Sequence, residues 1–134
     1  MTALFLTTDL MFSSRVLGAA GTIGVPLAVC GSPENLLARS AAEPDLRLVL
    51  IDLTHPADDL SELVTRLRAQ RPQVRVVAFG PHVDSMRLHA AQAAGCDEVL
   101  TRGQFQQTYV ERLRALAAPA APAASQGSSQ QPAS

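Results

Sequence analysis

The sequence predicts a doubly wound α/β domain: one five-stranded parallel sheet in the order 2-1-3-4-5, with helices on both faces. Three observations carry that prediction. Short apolar runs alternate five times with segments of helical spacing. The run LRLVLID at 46–52 is apolar almost without interruption, as expected of a strand buried on both faces. The segments between runs are long enough for crossover helices, so strands pair in parallel and right-handed crossovers cover both faces.

The first strand is read at 3–8 (ALFLTT), followed by a helix at 12–24 that loosens at its glycines. VPLAVC at 25–30 is the second strand. The next helix opens on Ser32 as N-cap, Pro33 at the first helical position and Glu34 in the first turn. After the 46–52 strand, the clearest helix spans 57–70, with Leu60, Leu63, Val64 and Leu67 on one face. Asp58 and Asp59 suit its positive N-terminus, and Arg66 and Arg68 its end. VRVVAF at 74–79 is the fourth strand, and the helix at 84–95 stops at Gly95. A fifth strand at 97–101 and a helix at 105–117 close the domain. The remainder to Ser134 carries no charge and no hydrophobe larger than Ala or Pro, so it is expected to be a disordered tail from about Ala117.

A sheet of this order binds ligands beyond the C-terminal ends of its strands, beside strand one. That end receives Asp9, just after the first strand, and Asp52, which closes the third. Gly80 to His82 border the same crevice. An aspartate ending an otherwise apolar strand is therefore a candidate functional group.

Composition limits the rest. The net charge of -1 gives no global attraction to nucleic acid or an anionic membrane. No apolar run reaches the roughly 18 residues of a membrane span, and no secretory signal opens the chain, so a cytoplasmic setting is expected. Cys30 and Cys96 are predicted on opposite sheet edges, four strand spacings of about 4.8 Å apart, which is beyond disulfide reach. All eleven basic side chains other than His are Arg. GAAGTIG lies at a helix end and lacks the Lys-Ser/Thr of a phosphate loop, so it is read as packing or helix termination.

The order of elements and the segments FLTTD, IDLTHP and VLTRG resemble the receiver domain of two-component response regulators over about residues 3 to 116. The resemblance implies a flavodoxin-like fold with Asp52 as phosphoacceptor and Pro56 at a common proline position. It implies Mg²⁺ held by Asp9, Asp52 and the backbone carbonyl of Thr54, and Arg102 as a phosphate contact where the family has Lys. Four positions depart from the family: Leu10 replaces an acid, Gly80 a hydroxyl residue, Val99 an aromatic, and Gly103 a cis proline. With one acid fewer, Mg²⁺ affinity drops. Without the hydroxyl and the aromatic, the usual relay from the site is missing.

The residues leave other readings open. Asp52 can cap the following helix or pair with Arg102, and Asp9 is a ready N-cap. Arg102 can equally reflect the chain's exclusive use of arginine. Asp9, Asp52, His55 and His82 together suit Zn²⁺ or another transition metal. No nucleophile–base pair is visible, so enzymatic activity is not expected.

The function expected is a stand-alone, degenerate receiver-like signalling domain that acts by protein–protein interaction. Phosphorylation at Asp52 is expected to be weak or absent, the alternative being a competent phosphorelay component. The partner is a histidine kinase, an effector or a second copy, with no nucleic acid and no membrane. The resemblance places docking on helix four, strand five and helix five, with Met86, Leu88, His89, Gln106, Tyr109, Arg112 and Arg114. Tyr109 is either an anchor for that partner or a core residue packed beside Leu113.

Overall fold

The computed structural model describes residues 1–54 and 59–117. Its elements run β1 (Thr2–Leu6), α1 (Leu10–Ile23), β2 (Leu27–Cys30), α2 (Pro33–Ala42), β3 (Leu46–Asp52), α3 (Leu60–Gln70), β4 (Arg75–Gly80), α4 (Ser85–Ala93), β5 (Glu98–Thr101) and α5 (Arg102–Ala117). The strands form one sheet, β2-β1-β3-β4-β5, and every neighbouring pair is parallel. The fold class and strand order are those read from the sequence. The expected tail beyond α5 and the positions His55, Pro56 and Asp58 lie outside the described residues.

Alternation along β3 explains its composition. Val49 and Ile51 join an aliphatic layer with Leu36, Leu63, Val64 and Leu67 from α2 and α3. Leu48 and Leu50 point the other way, into a layer with Val16, Phe12, Phe105 and Leu113 from α1 and α5. From Leu48 to Ile51 both faces are covered, so the strand places its polar residues, Arg47 and Asp52, only near its two ends.

The second layer holds every aromatic residue of the chain. Phe5, Phe12, Phe79, Phe105 and Tyr109 form one contiguous group. Phe79 and Phe105 stack with ring centroids 4.1 Å apart, and Phe12 meets Phe79 edge-on at 5.9 Å. The core is thus aromatic on one side of the sheet and purely aliphatic on the other. Tyr109 belongs to this group through Phe12 and Phe105, so its core reading holds and its ring is not a free anchor.

Helix boundaries follow their caps. Ser32 accepts the Asn35 amide, as expected. Asp59 accepts the Glu62 amide, which makes it the N-cap of α3 and sets the helix start at Leu60 rather than 57. α1 stops at Gly24, whose φ of +93° is open to glycine at little strain. Gly95, at φ +94°, does the same after α4. α5 shifts by as much as α3 in the other direction, starting three residues early. Thr101 Oγ1 accepts the Gln104 amide at 3.2 Å, and Gln104 Oε1 accepts the Thr101 amide at 2.9 Å. This reciprocal capping box begins the helix directly where β5 ends. Arg102 is therefore the first residue of α5 rather than part of a connection, and Gly103 lies in the first helical turn. Among the described residues no helix is long and apolar enough to cross a membrane.

Candidate functional site

The strand register brings the site together. Leu6 of β1 pairs with Ile51 of β3, and Asp52 pairs with Phe79 of β4. Thr7, Asp52 and Gly80 therefore leave the sheet at neighbouring points along its C-terminal end. Asp9 and Asp52 are on that same end, as the sequence implied.

Asp52 is 1% exposed. A buried carboxylate needs hydrogen-bond donors in place of water. Thr7 donates its hydroxyl to Oδ2 at 2.8 Å. Thr54 donates its amide and its hydroxyl to Oδ1 at 3.0 and 2.6 Å. Both oxygens are thus held by the protein itself. Among the described residues Asp52 caps no helix and does not pair with Arg102, so both simpler roles considered for it are corrected. The helix after it starts too far along, and Arg102 is turned elsewhere.

Thr7 was not singled out in the sequence. Its hydroxyl links the two acids, because it also accepts the Asp9 amide at 3.1 Å. The signal was available in TTD. A hydroxyl residue one step past a central strand sits level with the end of the adjacent strand.

Asp9 is the N-cap of α1, accepting the Phe12 amide on Oδ1 at 3.0 Å. Its other oxygen, Oδ2, takes a charged hydrogen bond from Arg102 at 2.6 Å. The Phe12 amide above all holds the Asp9 carboxyl below its usual pKa; burial opposes it, and the Arg102 guanidinium adds to the lowering. The Arg102 guanidinium also lies over the Phe12 ring, 5.3 Å from its centroid, in cation–π contact. Arg102 reaches Asp9 because the capping box places it at the start of α5, beside the β1–α1 corner.

The β4 side is filled rather than open. Gly80 is the last residue of β4, and a side chain there would begin 3.1 Å from Leu53 Cβ. Leu53 is 7% exposed and packs in the aliphatic layer. Arg87 of α4 donates to the Leu53 carbonyl and pairs with Asp84 at 3.1 Å. The loop after β3 is thereby tied to the start of α4. Leu53 and Arg87 were also missed: Leu53 stood in IDLTHP without a role, and Arg87 belongs to no motif.

The residues as arranged do not fit a divalent cation. Hard cations need oxygen donors free to turn inward. Asp52 is enclosed by hydroxyls, Asp9 is occupied by Arg102 and by its own helix, and Leu10, at 79% exposure, supplies no oxygen. Thr54 faces Asp52 through its amide and hydroxyl. Among the described residues no group of three or more His, Cys, Asp or Glu side chains is placed to hold a metal. His82 is exposed in the turn before α4, and His55 lies outside the described residues. Cys30 and Cys96 are free thiols, and burial pushes Cys96 up to about 11.

The expected docking face is revised at Leu88, which packs half-buried against the aliphatic layer, and at Arg112, as well as at Tyr109. Met86 is 82% exposed, and His89, Gln106 and Arg114 are exposed as well. Arg112 is not free: it pairs with Glu98 of β5 at 2.6 Å, and Glu98 also pairs with Arg75 at 2.6 Å.

No family model matches the chain, and no curated protein matches it. Solved structures do. A putative response regulator from Chloroflexus aurantiacus is 18% identical, with a TM-score of 0.69 over 88% of this chain and 98% of that one. A response regulator from Burkholderia pseudomallei, solved with a phosphorylated aspartic acid and a calcium ion, is 17% identical, with a TM-score of 0.66 over 87% of this chain and 72% of that one. An atypical orphan response regulator, described as having a phosphorylation-independent regulatory mechanism, is 16% identical, with a TM-score of 0.66 over 86% of this chain and 93% of that one. The chain therefore has the receiver-domain fold.

Proposed function

We propose that this chain is a non-enzymatic, receiver-like signalling module that acts by protein–protein interaction, with weak or no phosphorylation at Asp52. The observation that carries this reading is the enclosure of Asp52: 1% exposure, with Thr7 and Thr54 hydrogen-bonded to both oxygens. Phosphoryl transfer depends on positioning and charge neutralisation around an accessible nucleophile. Here the nucleophile is covered, Gly80 carries no hydroxyl, and Arg102 turns to Asp9. The atypical orphan regulator described as phosphorylation-independent offers a precedent for this fold.

The interaction surface in this reading is the face formed by α4, β5 and α5, and the partner is a histidine kinase, an effector or a second copy. The deciding experiment has two arms. Mass spectrometry after treatment with acetyl phosphate and Mg²⁺ is expected to show little or no adduct on Asp52; prompt stoichiometric labelling overturns the reading. Sedimentation and pull-down are then compared for the parent, Asp52→Asn and Arg114→Glu. Association that survives Asp52→Asn and falls with Arg114→Glu supports the reading. The reverse pattern puts the acid site in control.

A further inference from the structure

We infer that the guanidinium of Arg102 is the resident cation of this site and takes the place of a divalent metal ion. The inference deepens the constitutive reading above and rests on it: a site with a covalently attached cation has a fixed charge state.

Asp9, Phe12 and Arg102 form a closed unit. The Phe12 amide holds Asp9 Oδ1 at 3.0 Å, and the Phe12 ring supports the guanidinium at 5.3 Å. The guanidinium in turn holds Asp9 Oδ2 at 2.6 Å. One residue thus fixes both the acid and the cation that neutralises it. The capping box of Thr101 and Gln104 fixes the backbone that carries Arg102. Both partners are about one-third exposed, at 30% and 35%, so solvent weakens the pair less than at an open surface.

The chemistry of the substituent matters. Arginine stays protonated at any pH that the fold tolerates, and it presents a planar fork that can pair with a carboxylate and stack on a ring at once. A bound metal exchanges with solvent and responds to its concentration; Arg102 does neither. The same residue joins the β1–α1 corner to the start of α5, a link that an exchangeable ion would make only when bound. Leu10 fits this arrangement. With the charge of Asp9 already matched by Arg102, a second carboxylate at position 10 would be unbalanced, and the chain has an apolar residue there.

Calorimetric titration with MgCl₂ and MnCl₂ tests the inference on the full chain. The parent is expected to show no saturable binding at millimolar ion. Arg102→Met removes the cation at similar length and is expected to gain binding at least about tenfold tighter, because ion affinity follows the net charge of the ligands. Asp9→Asn in the Arg102→Met background is expected to abolish that gain. Arg102→Lys retains a cation and is expected to stay metal-free. Should Arg102→Met fold poorly, as read by circular dichroism, Arg102→Gln supplies the neutral arm. Saturable Mg²⁺ binding by the parent that Arg102→Met leaves unchanged overturns the inference, and so does a folded neutral variant that gains none. Labelling of parent Asp52 by acetyl phosphate, in contrast, overturns the functional reading. The two failures therefore appear in different measurements.

Discussion

Leu53 lies against Gly80 so closely that a Cβ at position 80 would meet Leu53 Cβ at 3.1 Å and Cδ1 at 3.5 Å. The space in which a hydroxyl side chain would stand is taken by a core leucine. Restoring the hydroxyl with Gly80→Ser is expected to destabilise the fold by about 1–3 kcal/mol, the usual range for overpacking. Leu53→Gly, which removes that Cβ, is expected to relieve the clash. The two changes should couple by at least about 0.5 kcal/mol in a double-mutant cycle measured by urea denaturation. Simple additivity would show that Leu53 yields freely.

Thr7→Val tests the enclosure of Asp52 from the other side. It removes the donor to Oδ2 while keeping the volume nearly constant, leaving a buried carboxylate oxygen unpaired. The expected loss is about 1–3 kcal/mol, read from the urea midpoint at unchanged slope. Thr54→Ala should have a smaller effect, about 0.5–1.5 kcal/mol, because the Thr54 amide remains bonded to Oδ1.

The Arg75–Glu98–Arg112 cluster predicts a pH dependence. Hydrogen bonds from Arg112 and then Arg75 hold the Glu98 carboxyl below its ordinary value of 4.5. A carboxyl depressed in the folded state binds fewer protons there than in the unfolded chain. Its contribution is therefore present above pH 4.5 and fades as pH falls through the lower folded value. Glu98→Gln should show a shallower decline in stability below that pH than the parent, measured by thermal melts across an acid series. An equally steep decline would assign the acid sensitivity to other carboxylates, such as Asp9 or Asp97.

Phe105 is fully buried and touches Phe5, Phe12, Phe79 and Tyr109. Phe105→Ala is expected to lose about 3–5 kcal/mol, and Phe105→Leu distinctly less, by chemical denaturation. A loss under about 1 kcal/mol for Phe105→Ala would contradict a single close-packed aromatic layer.

The strand order, the common end of Asp9 and Asp52, and the N-cap roles of Asp9 and Ser32 were all legible in the sequence, because periodicity and capping are local signals. The direction of Arg102 was not. Reading 97–101 as strand and 105 as the helix start left 102–104 as a connection. Yet TRGQ, a Thr with Gln three residues later, is a capping signature that places Arg102 on the helix. A shift of three residues there changes which acid the guanidinium reaches. Leu53 and Thr7 escaped for another reason. TTD shows a hydroxyl beside Asp9, but the partner of each residue, Asp52 for Thr7 and Gly80 for Leu53, follows only from cross-strand register. Composition shows how few the aromatics are, but not that they gather on one side of the sheet.

That gathering has a spectroscopic consequence. The chain has no tryptophan and one tyrosine, and Tyr109 sits with all four phenylalanines in the α1/α5 layer. Near-ultraviolet circular dichroism and intrinsic tyrosine emission therefore watch only that half of the molecule. If the α2–α4 side loosened alone, the optical tertiary signal would stay almost constant while amide exchange in α2, α3 and α4 accelerated. Apparent two-state melts recorded at tyrosine wavelengths would then report the stability of one side of the sheet.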